Sequence, residues 1–61
     1  MFEEFLNDRV KIPYRDGKDI KVARGILTDV NCDFVKVTGK RGTIVIHQKN
    51  IEKMSRIKNE E

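Results

Sequence analysis

The side chains able to do chemistry gather in two short stretches. Asn31-Cys32-Asp33 places an amide, a thiol and a carboxylate in consecutive positions, and His47-Gln48-Lys49-Asn50 places an imidazole, two amides and an ammonium together. A cysteine nucleophile needs a base within hydrogen-bond reach and a group that orients the base. Cys32 is the only cysteine and His47 the only histidine, and nothing in the sequence sets one beside the other. The pair also falls short of the four ligands a structural zinc takes. Gly39 and Gly42 match neither glycine-rich nucleotide motif. Catalysis, a resident metal, a cofactor and a small-molecule substrate are therefore not expected. Recognition remains. Asn31 and Asp33 at a turn can read a base edge through hydrogen bonds. His47 can stack on a base, Lys49 can meet a phosphate, and Gln48 or Asn50 can hydrogen-bond a base. The plainer reading is that Asn31 and Asp33 only make the turn and that His47 is a rim residue at a strand end.

The charge pattern suits a polyanionic partner. The net charge is +3, but it is unevenly placed. Between residues 34 and 58 stand Lys36, Lys40, Arg41, Lys49, Lys53, Arg56 and Lys58 against Glu52 alone. Between residues 9 and 24 stand Arg9, Lys11, Arg15, Lys18, Lys21 and Arg24 against Asp16 and Asp19. Acids collect at the tips, as Glu3, Glu4, Glu60 and Glu61. A basic body with acidic ends fits nucleic acid, the commonest polyanion; a mixed, solvated surface is the alternative. No apolar run approaches the roughly 20 residues of a membrane span, and the acidic start lacks the features of a signal peptide. A single thiol is compatible with a reducing compartment, so the expected location is cytoplasmic, with no membrane partner.

Strands must position these groups. Phe2, Phe5 and Leu6 share a face of a short N-terminal helical turn, too short to stand without docking its rings. Arg9 to Tyr14 alternates, with Val10, Ile12 and Tyr14 on one side, which is the period of a half-buried strand. Asp16-Gly17 is a turn signal. Ile20 to Asp29 reads as a second strand whose phase slips near Gly25, where a glycine suggests a bulge or bend. Phe34 to Thr38 reads as a third strand, with Phe34 and Tyr14 as core residues. The basic turn Thr38 to Gly42 leads into Thr43-Ile44-Val45-Ile46-His47, so apolar and β-branched that both faces are expected to be covered. Ile51, Met54 and Ile57 also admit a helix, but a closing strand is preferred because the preceding strands need an end. The fold class is mostly β, one domain over 1–61.

A chain of 61 residues is marginal as an isolated domain. It has no disulfide or zinc site to reinforce it, which leaves association with other subunits. A small bent sheet also leaves edge strands with unpaired backbone groups. Identical copies pairing edge to edge satisfy both needs.

Two stretches resemble a known family. Gly25-Ile26-Leu27-Thr28-Asp29-Val30-Asn31-Cys32-Asp33-Phe34-Val35-Lys36-Val37 resembles the first motif of the Sm-like (Lsm/Hfq) proteins. There a strand begins at glycine, turns at an Asp/Asn position and returns as an apolar strand. Ile44 to Met54 resembles the second motif in its Hfq form. On that alignment His47 takes the aromatic position, Gln48 the Lys position and Lys49 the His position, with Asn50-Ile51 opening the last strand. Phe5-Leu6-Asn7, Arg9-Val10 and the Asp16-Gly17 turn resemble the Hfq start. The resemblance covers about residues 5–57. It implies a small, strongly bent five-stranded Sm-like barrel with a short N-terminal helix, a hexameric or heptameric ring of identical copies, and single-stranded RNA bound near the pore by Asn31, Asp33, His47, Gln48, Lys49 and Asn50.

Two other functions fit a small barrel. One is a protein-interaction adaptor, although few aromatic residues are present to line a proline-peptide groove. The other is a double-stranded DNA-binding barrel, which the basic body permits.

Overall fold

The computed structural model describes residues 2–57. Five antiparallel strands form one sheet: β1 (Arg9–Asp16), β2 (Asp19–Val30), β3 (Phe34–Gly39), β4 (Gly42–His47) and β5 (Ser55–Arg56). Their spatial order is β4-β3-β2-β1-β5. Successive strands are hairpin neighbours until β5, which crosses back to pair with β1. β4 and β5 are the two edges and do not pair with each other, so the sheet is open.

Two tight turns set the register. Gly17-Lys18 joins β1 to β2, with Asp16 opposite Asp19. Gly17 has a φ of 65° and Lys18 a negative one, the pattern of a II′ turn, whose twist matches its strands. Beside it the Lys21 ammonium donates to Asp16 at 2.7 Å. That hydrogen bond and the carboxylate charge raise the Lys21 pKa above its ordinary value. Lys40-Arg41 joins β3 to β4, with Gly39 opposite Gly42.

The phase slip in β2 has a clear origin. Its buried residues are Ala23, Gly25 and Leu27. Ile20 and Val22 lie on the other face, 53% and 50% exposed. They stand opposite Arg15 and Pro13 in the ladder. Inward alternation therefore runs through an alanine and a glycine, which periodicity counts as weak core residues. The extra residue is Thr28: Leu27 pairs with Val37 and Asp29 with Lys36, leaving Thr28 unmatched. Gly25 serves a different purpose. It has a φ of 158°, and a Cβ there would meet the Thr38 carbonyl carbon at 2.9 Å and Val37 Cγ1 at 3.0 Å. Only glycine lets β2 close against β3 at that point.

Eight residues form the core: Val10, Ile12, Ala23, Leu27, Val35, Val37, Ile46 and Met54. Phe2, Phe5, Tyr14, Val30 and Ile51 pack against it, partly buried. No polar residue is buried among the described residues. The expectation that β4 is covered on both faces is corrected. Ile46 is buried, but Val45 on the opposite face is 53% exposed, and Ile44, on the same face as Ile46 but nearer the turn, is 42% exposed; an edge strand is left uncovered on its outer face and toward its free end.

The termini meet. The expected N-terminal helix is represented by a single 3-10 turn, Glu3–Phe5. The Arg56 guanidinium of β5 donates from Nε to Asp8 Oδ2 at 2.7 Å and from one terminal nitrogen to the Glu4 carbonyl at 2.9 Å. It also lies 4.8 Å from the centre of the Phe5 ring. Residues 51–57 follow β1 as an extended segment, as preferred over a helix: Tyr14 bridges to Ile51, and Ile57 N–H donates to the Arg9 carbonyl. The Pro13 carbonyl accepts from Glu52 N–H at 2.9 Å. The backbone polar positions of Pro13 thus face the β5 side, and its missing N–H removes no bond from the β1–β2 ladder.

Candidate nucleic-acid interface

The two chemistry-bearing stretches meet at one end of β3 and β4. The Lys40-Arg41 turn sets Phe34 opposite His47. That register brings the loop before Phe34 alongside the loop after His47. Gln48–Asn50 forms a 3-10 turn, and Gln48 N–H donates to the Asp33 carbonyl at 2.9 Å. The Gln48 side-chain amide donates to the Asn31 carbonyl.

Asn31 builds its own loop. Its Oδ1 accepts from Asp33 N–H at 2.8 Å and from Phe34 N–H at 3.0 Å, and its backbone N–H donates to the Phe34 carbonyl at 3.0 Å. This is an Asx turn, in which a side chain substitutes for a backbone acceptor. Asn31 and Gln48 are thus joined to the loop framework, and the Asn31 Oδ1 is committed there rather than to a ligand.

Between the loops lies a cleft of about 460 Å³ lined by Cys32, Asp33, Phe34, His47, Gln48 and Lys49. Of the six residues proposed from sequence, the structure gathers Asp33, His47, Gln48 and Lys49 around this space. Asn31 and Asn50 are not part of its lining, although Asn31 bonds to the backbone of Asp33 and Phe34, which are. Asp33, His47 and Lys49 are exposed, and neither Asp33 nor Lys49 is in an ion pair among the described residues. The cleft therefore offers an acceptor, a cation and an imidazole face without first breaking an internal contact.

Phe34 is the residue that sequence reasoning misplaced. It is half-buried and lines the cleft instead of joining the core cluster. The Lys36 ammonium stands 6.0 Å from its ring centre. The signal was present in the turn: a two-residue connection at Lys40-Arg41 dictates that Phe34 faces His47. Two flat side chains on adjacent strands at the mouth of a polar cleft suit base stacking, which is tolerant of sequence.

Cys32 is exposed and shares the cleft with His47, but no hydrogen bond between them occurs among the described residues. No cluster of three or more metal-ligating side chains occurs among them either. No described helix is long and apolar enough to cross a membrane. No family model matches the chain, and no curated protein or solved structure matches it.

Proposed function

We propose that this chain is an Sm-like subunit that assembles with copies of itself into a ring and binds single-stranded RNA near the pore. The observation that carries the reading is the cleft in which Asp33, Phe34, His47 and Lys49 converge from two loops. Aromatic faces, a cation and a hydrogen-bonding carboxylate are the groups that single-strand recognition uses. Asn31, Gln48 and Asn50 contribute by shaping the loops that carry them.

The assembly half of the proposal rests on the two edges. β4 presents Ile44 and Val45 to solvent, and an unpaired apolar edge favours association. β5 is the edge at the other end of the sheet order, and its side away from β1 is the one a neighbour would meet. Pairing β4 of one copy with β5 of the next is a head-to-tail contact, and such contacts generate rings when the rotation closes. The sheet, bent and completed by its neighbour, then acts as a small barrel. A ring repeats each modest cleft contact, and multivalency raises the affinity for a strand that touches several subunits.

Native mass spectrometry with and without an oligo-U or oligo-A strand tests both halves together. A closed oligomer that takes up one strand supports the reading. A monomer that takes up neither strand overturns it. Equal affinity for duplex DNA points instead to the double-stranded DNA-binding alternative, and a nuclease-insensitive protein partner points to the adaptor.

A further inference from the structure

β3 runs away from the cleft, and its far end lies roughly 17 Å along the strand. A second basic surface sits there. A groove of about 520 Å³ is walled by Arg9 of β1, Arg24 of β2 and Lys40 of the β3–β4 turn. A smaller groove of about 300 Å³ adjoins it, sharing Arg24, Gly39 and Lys40 and adding Arg41. No acidic side chain lines either groove. None of the four cations is in an ion pair among the described residues, and all four are exposed.

The backbone explains why the surface is open between them. A Cβ at Gly25 would collide with the Thr38 backbone, and one at Gly39 would meet the Arg24 carbonyl at 2.9 Å. β2 and β3 are thus in close contact at these two glycines, which line the groove together with Ile26, Thr38 and the cations. The charges come from three places: Arg9 at the start of β1, Arg24 in the middle of β2, and Lys40 and Arg41 in the β3–β4 turn. Like charges gathered without acids disfavour one another, and a polyanion relieves that repulsion. Arginine forks match phosphate oxygens in pairs, and lysine adds a mobile point charge.

We infer that this double groove binds a chain of phosphate groups, contacting the phosphates and not the bases. The site is separate from the His47 cleft and does not depend on whether bases enter that cleft. A nucleic-acid backbone and free inorganic polyphosphate share the chemistry, and the test distinguishes them.

The probes are linear polyphosphate, oligo-U and oligo-A, titrated across a range of salt. The variants are Arg24→Gln with Lys40→Gln, and as a charge-matched control Lys18→Gln with Lys53→Gln. Circular dichroism verifies that each is folded. For polyphosphate, the groove variant is expected to bind roughly tenfold more weakly than the control, and its plot of log affinity against log salt is expected to be shallower by roughly 1.5. Equal weakening for oligo-U and oligo-A identifies a nucleic-acid backbone as the ligand; weakening for polyphosphate alone identifies free polyphosphate. Chemical-shift changes in the wild-type protein provide a readout independent of the variants. Polyphosphate is expected to move the amides of Arg24, Gly25, Gly39 and Lys40. Equal binding by the groove and control variants, or shifts confined to His47–Lys49, overturns the inference. Loss of oligo-U binding at the cleft with polyphosphate still held at the groove counts against the RNA reading alone.

Discussion

Individual residues divide between those that build the cleft and those proposed to bind through it. Asn31 belongs to the first group, since its Oδ1 holds two backbone N–H groups. Asn31→Ala is expected to lower stability by about 1–2 kcal/mol, whereas Asn31→Asp retains the acceptor and most of the stability. Urea unfolding of both variants checks this; equal loss in the two would show that Oδ1 is not the operative atom. His47 belongs to the second group, because it is exposed and its ring is available. His47→Ala is expected to weaken oligo-U binding by about 1–3 kcal/mol, the range for base–aromatic stacking, while His47→Phe preserves or strengthens it. Fluorescence anisotropy reads both, and indifference to either change removes stacking from the account. Gly25 is a third kind of residue, needed only for close approach. Gly25→Ala places a methyl group against the Thr38 backbone and is expected to cost about 1–3 kcal/mol, read as a lower midpoint in thermal unfolding.

Elements show how a short chain secures its ends. The 3-10 turn Glu3–Phe5 has no buried residue of its own, and three residues cannot sustain a helix unaided. It is held by Arg56, which reaches a carboxylate, a carbonyl and an aromatic ring from one guanidinium. Arg56→Ala is therefore expected to speed hydrogen exchange at Phe5 and Leu6, whose N–H groups bond within the turn, while leaving Val35 and Val37 in the core protected. Arg56→Lys keeps the charge but lacks the fork, and is expected to restore the protection only in part. Uniform acceleration across the sheet in Arg56→Ala would instead make Arg56 a global support. The same contacts explain why the C-terminal segment is extended. Met54 reaches the core and Ile51 packs against it, while the backbone bonds of the segment go to β1; a helix there would lose them.

For the whole molecule, the sheet's two open ends dominate. Eight buried apolar residues are a small core, and a domain this size buries only about 60% of its unfolded surface. Ile44 and Val45 on β4 supply further apolar area for a neighbouring copy to cover. Val45→Lys places a charge on that edge, a known obstacle to strand pairing. Because Val45 is exposed, the isolated fold is expected to survive the change. Light scattering is expected to show the proposed oligomer shifted toward monomer, with the proposed oligo-U affinity falling as multivalency is lost. An unchanged assembly would exclude the β4 edge as the contact.

Local pattern was enough to place the strands and turns. Alternation marked Val10 and Ile12, a run of β-branched residues marked β4, and glycine with Asp or Lys-Arg marked the two hairpins. It was also enough to single out both loops that form the cleft, because polar turn residues stand out between apolar strands. What sequence could not show was the direction in which ambiguous residues point. Ile20 and Val22 are as apolar as Leu27, yet they face out, because cross-strand register, not hydrophobicity, assigns a residue to a face. Phe34 left the core for the cleft for the same reason, opposite His47. The basic double groove was legible only as charge, since Arg9, Arg24 and Lys40 are distant in the chain and meet through the pairing of three strands. Residue type decided what each position is able to do; the ladder of backbone hydrogen bonds decided which positions do it together.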